Sequence, residues 1–282
     1  MSLTASTPGT ADQAPTWRPA SSGSGVTFPR LVKSEWLKLK TLRSTWLTLG
    51  AAVVVLVLAS ALIANHLHGN LVHPRPFDDP NDRDVLTTPL RGFGITQLFI
   101  GVLGVLSITG EYATGMIRAT LTAVPKRLPV LFAKLVVFAL LGFIAMLVAA
   151  FGAFFTSQAV LGSYGMTLGD GPSVRVVTAL AGYLALVGLL GVGLGFMVRS
   201  TAGGVASLVA IILVAPGILA ALGTTWATSA SHYLPLNAGL AMFSDVAPHG
   251  GELSPGAGLI VMLAWVAASV MGAAFVLVRR DG

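Results

Sequence analysis

The chain has no cysteine in its 282 residues, so a disulfide, a thiolate nucleophile and a Cys-ligated metal are all unavailable to it. Charge is scarce as well: 10% of the residues are charged, where soluble domains carry about 25%. Histidine is confined to His66, His68, His73, His232 and His249, all outside the apolar runs. The first three bunch together without the spacing of a helical or finger-like metal site, and they read as part of a hydrated loop. No G-x-x-x-x-G-K-[ST] occurs anywhere. GSYGMTLGDG at 162–171 lacks the lysine, so the chain has no loop of its own to cradle ATP. What is present instead is a 54% hydrophobic composition gathered into uncharged runs. Runs of about 20 residues cross the ~30 Å hydrocarbon core as helices. The fold class is therefore an all-α, multi-pass membrane protein.

Residues 1–29 are rich in Ser, Thr, Ala, Pro and Gly with no apolar core, and read as a disordered tail preceding a membrane domain at 30–282. RLVKSEWLKLKTLR at 30–43 reads as an amphipathic entry helix. Leu31, Val32, Trp36, Leu39 and Leu42 share one arc, Glu35 and Arg43 intrude on it, and Lys33, Lys38 and Lys40 lie mostly elsewhere, so the helix is expected on an anionic membrane face. Six spans are expected near 45–65, 92–109, 130–157, 176–198, 203–222 and 257–278. The third is long enough to tilt or project. Pro216 is expected to kink the fifth. Gly188, Gly191 and Gly195 give the fourth a close-packing face.

Thirteen of the 17 Lys and Arg residues fall on one side of these spans, and Arg75, Arg83, Arg91 and Arg175 on the other. The bias places both termini in the cytoplasm. Because the cations flank hydrophobic runs, they carry topology and not a nucleic-acid footprint. In the outer segment 223–256, SHYLPLNAGLAMF is too apolar for a free loop and too short to span, which suggests a re-entrant helix before span six.

One cytoplasmic segment stands apart: GEYATGMIRATLTAVPKRLPVLFAK at 110–134. Taken as a helix, 111–124 places Tyr112, Ala113, Met116, Ile117, Thr120, Leu121 and Val124 on one half, with Glu111, Gly115, Arg118 and Thr122 on the other. Pro125 ends it, Pro129 suits the first turn of the next span, and Lys126, Arg127 and Lys134 hold that end at the interface. Counting back from Glu111 at helical spacing gives Ile108, Gly104, Gly101 and Gln97, a stripe of mostly small residues. Glu111 either moves with that stripe or serves as a local interfacial cap, with Arg118 as its ion-pair partner.

E-Y-x-x-G-x-I-R, then P-K-R and a lysine leading into the next span, resembles the permease subunits of type-2 ABC exporters. SEWLKLKTLRSTW at 34–46 resembles their entry helix, especially in actinobacteria, and HYLPLNA fits less specifically. The resemblance implies a bacterial plasma-membrane permease whose loop between spans two and three is a coupling helix docked on a separate ATPase. The matching residues are Glu111, Tyr112, Gly115, Ile117, Arg118, Pro125, Lys126 and Arg127, with Glu35, Trp36 and Lys38 of the entry helix beside them. It implies no catalytic residue, metal or cofactor in this chain, ATP and Mg being bound by the ATPase partner. It implies assembly with a second permease copy, as a homodimer or a heterodimer. Phe93, Gln97 and Phe99 would line a pathway for an amphiphile such as a drug, peptide or lipid.

Two rivals follow from the residues. A proton- or ion-coupled carrier needs ionisable groups inside the spans, and these boundaries leave none there, with Lys134 near the end of its span. An integral membrane enzyme of lipid or cell-envelope metabolism needs an acid/base pair or a metal cluster. Asp78, Asp79, Asp82 and Asp84 offer carboxylate density, but in a proline-broken, solvated loop.

Overall fold

The structure is a computed structural model that describes residues 27–73, 84–124, 126–245, 248 and 251–280. The expected tail lies almost wholly outside the described residues, as do Asp78, Asp79, Asp82, Pro125 and His249. Among the described residues the chain is helix and loop with no strand. The entry helix α1 (Phe28–Thr41) begins with Pro29 in its first turn and breaks at Leu42, whose extended backbone turns the chain into α2 (Arg43–Val72). A short α3 (Thr87–Leu90) leads into α4 (Phe93–Ala113), followed by α5 (Met116–Ala123) and α6 (Leu128–Leu161). Then come α7 (Ser173–Val198), α8 (Thr201–Val209), α9 (Ala215–Leu222), α10 (Thr225–Ser231), α11 (Pro235–Phe243) and α12 (Pro255–Arg280). Among the described residues, six helical stretches are long and apolar enough to cross a membrane.

The spans outrun their sequence boundaries because a helix need not stop where the apolar run stops. α2 continues to Val72, so His66 and His68 ride on its last turns and not in a free loop. His66 contacts Asn70 and His68 packs edge-on against Tyr164. Among the described residues no group of three or more His, Asp or Glu side chains is placed to hold a metal. Asp84 caps α3, accepting from the backbone N–H of Leu86 at 2.8 Å and of Thr87 at 3.1 Å.

The fifth span consists of α8, a π-helical stretch at Ala210–Val214, and α9. Pro216 sits in the first turn of α9. Its missing N–H leaves an acceptor open one turn back, and the widened turn accommodates the loss. The segment read as re-entrant forms α11, whose Ala238, Met242 and Phe243 are buried where it packs on the N-terminal ends of α7 and α12.

α7 is the central span: 72% of its apolar window is buried, against 17% for the fifth span and 17% for α12. Its tightest partner is α4, and the two small-residue stripes recognised separately in the sequence meet each other here. A Cβ on Gly104 would fall on the carbonyl oxygen of Gly188, and one on Gly191 would fall on that of Gly101. Only hydrogen at these positions lets the two backbones approach so closely. Gly195 closes the same seam against Val105 and Ile108.

Candidate functional site

The single helix expected over 111–124 is two helices. α4 carries on through Ala113, the chain turns at Thr114 and Gly115, and α5 starts at Met116. Gly115 has φ 73°, a left-handed conformation that costs a residue with a Cβ roughly 1–2 kcal/mol. Glu111 and Tyr112 therefore belong to the last turn of span two. Gly115→Ala meets no steric obstacle, since nothing lies within 4 Å of an added Cβ. It is expected to lower stability by about 1 kcal/mol, and Gly115→Asn by less, in thermal unfolding of the detergent-solubilised protein.

Glu111 does not pair with Arg118. Its carboxylate closes a ring of four charges contributed by three helices. Lys38 Nζ donates to Glu35 Oε1 at 2.7 Å and to Glu111 Oε1 at 3.1 Å. Lys134 Nζ donates to Glu35 Oε2 and to Glu111 Oε1, each at 2.6 Å. α1 supplies Glu35 and Lys38, α4 supplies Glu111, and α6 supplies Lys134. Glu35, Glu111 and Lys134 are buried. The second oxygen of Glu111, Oε2, is enclosed and accepts no hydrogen bond.

Lys134 is what sequence reasoning misplaced. Read as an interface anchor, it lies two turns inside α6 as a buried ring member, so the spans are not free of ionisable groups. The available signal was a lone lysine in the otherwise apolar run VLFAKLVVF.

Burial alone works against the charged form of Lys38. The hydrogen bonds and charges of Glu35, and then those of Glu111, outweigh it and hold the ammonium above the ordinary 10.5. A raised lysine contributes fully below its ordinary value and is lost only as pH climbs through the folded one, so the ring keeps this charge at all physiological pH. The whole ring is neutral. Taking each ion out of water costs several kcal/mol, which the mutual bonds offset, so it registers three helices more than it adds net stability.

Tyr112, the next residue, turns the other way. Its ring packs edge-on to Phe196, and the Arg199 guanidinium lies 5.2 Å from its centroid. Arg199 ends α7 in a left-handed conformation, φ 56°, and donates to Val276 O at 3.1 Å. Arg127 donates to Leu277 O at 3.2 Å. Two arginines thus fasten their cationic side chains to carbonyls near the C-terminal end of α12.

The other expected site residues divide by exposure. Ile117 is buried and seats α5 on the core, Trp36 is half-buried against it, and Arg118 and Lys126 are exposed. Glu35, expected on a docking face, has its carboxylate turned inward. Phe93 and Gln97 are buried inside the helix bundle: Tyr183 donates to Gln97 Oε1 at 2.5 Å, and Phe93 packs edge-on to Tyr183 and Phe243. Phe99 is half-buried.

The family model described as ABC-2 family transporter protein matches residues 31–229, from α1 into α10. The chain belongs to the ABC-2 transporter family. All four ring residues, α5 and the α4–α7 seam lie within the matched range of this ABC-2 membrane protein. Comparison with curated proteins found no match.

Proposed function

We propose that the chain is the permease subunit of an ATP-driven exporter in a bacterial plasma membrane, with α5 as the coupling helix and both termini in the cytoplasm. The observation that carries the reading is the placement of α5. It follows span two after a two-residue turn, Thr114 and the left-handed Gly115, and presents Arg118 outward, while the last turn of span two is fastened at Glu111 to α1 and α6 by ion pairs. A push on α5 reaches three membrane-borne helices without passing through a flexible linker. The engine is a separate ATPase subunit that binds ATP and Mg, since this chain has no phosphate-cradling loop. Two such permeases, as a homodimer, pair with two ATPases, and the cargo is an amphiphile such as a drug, peptide or lipid.

Co-expression with the ABC ATPase of the same gene neighbourhood tests this. The wild-type chain is expected to retain the ATPase through detergent purification and to stimulate its hydrolysis. Arg118→Ala, exposed and outside the packing, is expected to insert normally and to lower that stimulation about tenfold. A wild-type chain that retains no ATPase, under conditions where both are folded, rules the reading out.

A further inference from the structure

Three helices end near one another at the same end of the bundle. α4 stops at Ala113, α7 at Val198 and α12 at Arg280, so the negative ends of three helix dipoles come together. A cation is favoured among them, and Arg199 supplies it. Its guanidinium lies 5.2 Å from the ring centroid of Tyr112, in the last turn of α4, and donates to Val276 O of α12 at 3.1 Å. A planar guanidinium suits both tasks, since its face covers a ring while its edge donates to a carbonyl. Its backbone N–H donates to Gly195 O at 2.9 Å and closes α7.

The backbone of Arg199 is a second observation. Among the described residues it is the one non-glycine with a positive φ, 56°. Helices that end on a left-handed residue usually place glycine there, as α9 does at Gly223 with φ 61°. Glycine would make the same turn at less cost, so the turn does not account for the arginine; the two contacts of its side chain do. The next residues add to the tie. Ser200 caps α8, accepting from Gly203 N–H at 3.4 Å, and Thr201 Oγ1 donates to Thr109 Oγ1 of α4 at 2.9 Å. The turn from α7 into α8 is thereby held to α4 at Thr109 and at Tyr112, about one turn apart. α12 crosses α7 where Gly193 faces Ser269 and Gly272 faces Met197, and Arg199 extends that crossing to α4.

We propose that Arg199 is a positioning residue for transport, gripping Tyr112 and the Val276 carbonyl together so that a displacement of span two is passed to span six. This rests on the permease reading and adds a route that the charge ring does not serve. The ring ties Glu111 to α1 and span three, whereas Tyr112, the next residue, faces Arg199. One movement of the end of α4 is divided between two neighbouring side chains that point to different helices.

The test uses the full chain co-purified with the ABC ATPase of its gene neighbourhood. Because the chain has no cysteine, spin labels at T114C and V278C, both exposed, report the separation of the ends of α4 and α12 by dipolar EPR. R199G removes the side chain and relieves the backbone, two opposed effects on folding. It is expected to retain the ATPase, to keep its thermal midpoint within about 3 °C of wild type, and to lower stimulated kcat about fivefold at unchanged KM for ATP. The label separation is expected to be narrow in wild type and to broaden in R199G. R199K keeps a cation in the same backbone but grips less well than a planar fork, and is expected to recover about half of the lost stimulation. Where R199G does not fold, Y112L replaces it, removing the ring and leaving the bond to Val276 O, with the same two results expected. Full stimulation by the variant overturns the inference and leaves Arg199 an ordinary helix cap. Lowered stimulation with an unbroadened separation also overturns it, since the force then travels elsewhere. Absence of ATPase binding by wild type is a different failure: it removes the permease reading, and the transport role of Arg199 with it.

Discussion

Lys134→Met is expected to lower the thermal midpoint of the detergent-solubilised protein by roughly 10 °C, the counterpart of about 3–5 kcal/mol. The substitution keeps the length and apolar stem of the side chain, so it leaves little cavity and isolates the charge. What remains is two buried carboxylates, Glu35 and Glu111, facing one ammonium, that of Lys38, whose side chain is 25% exposed. Glu35 Oε2 loses its 2.6 Å donor, and Glu111 is left with the longer of its two bonds. Removing one member of a buried ionic set costs far more than the set contributes, because the abandoned charge stays out of water.

The same reasoning gives a rescue that separates folding from coupling. In E111Q/K134M the deleted charges cancel, Glu35 and Lys38 remain as a pair within α1, and most of the lost stability is expected to return. Stimulation of the ATPase is not expected to return with it. The charged tie from the last turn of span two to the first turns of span three is then gone, and α5 can move without moving α6. A double variant that recovers both stability and stimulation would reduce the ring to a structural device and take the coupling role from it.

Much of this fold was legible because a bilayer makes apolar length a direct readout: the six spans were visible as apolar runs, and each reappears with one or both ends shifted outward. The glycines of α4 and α7 were legible as two close-packing faces, though nothing in either stripe said that they faced each other. The site was harder, for two physical reasons. The apolar period runs without interruption across Thr114 and Gly115, so one helix looked sufficient, and only the left-handed backbone at Gly115 divides it. The ring joins residues 73 and 99 positions apart. Periodicity reports which face a side chain occupies, not which distant helix brings the opposite charge to it. Glu111 was singled out for its place at the end of a stripe, while its true partner Lys134 looked like an ordinary flanking cation. Burial changes the meaning of a lysine, and burial is a property of the assembled bundle.

The α4–α7 seam offers the second large effect. Gly104→Leu is expected to lower the stability of the solubilised chain by about 3 kcal/mol or more and to abolish ATPase stimulation even where folded protein is recovered. Most overpacking is relieved by rotating a neighbouring side chain, which keeps its cost near 1–3 kcal/mol. Here the first atom met is backbone, the Gly188 carbonyl oxygen, followed by the backbone nitrogen of Val192 at 3.0 Å, and neither can turn aside. The helices must separate along their length, which also strips Gly191 from Gly101 and Gly195 from Val105. The control is Gly110→Ala, two turns further along α4 and one residue before Glu111. Nothing lies within 4 Å of its added Cβ, and the change is expected to stabilise the helix by about 0.5–1 kcal/mol. If Gly104→Leu unfolds no earlier than Gly110→Ala, the close crossing is not what holds α4 to α7. If it folds at lower stability and still couples, α4 can carry the motion of Glu111 without α7. If stability and stimulation both fall at Gly104 and neither falls at Gly110, then α4 and α7 move as one body, and the displacement that begins at α5 is delivered to the most buried span in the molecule.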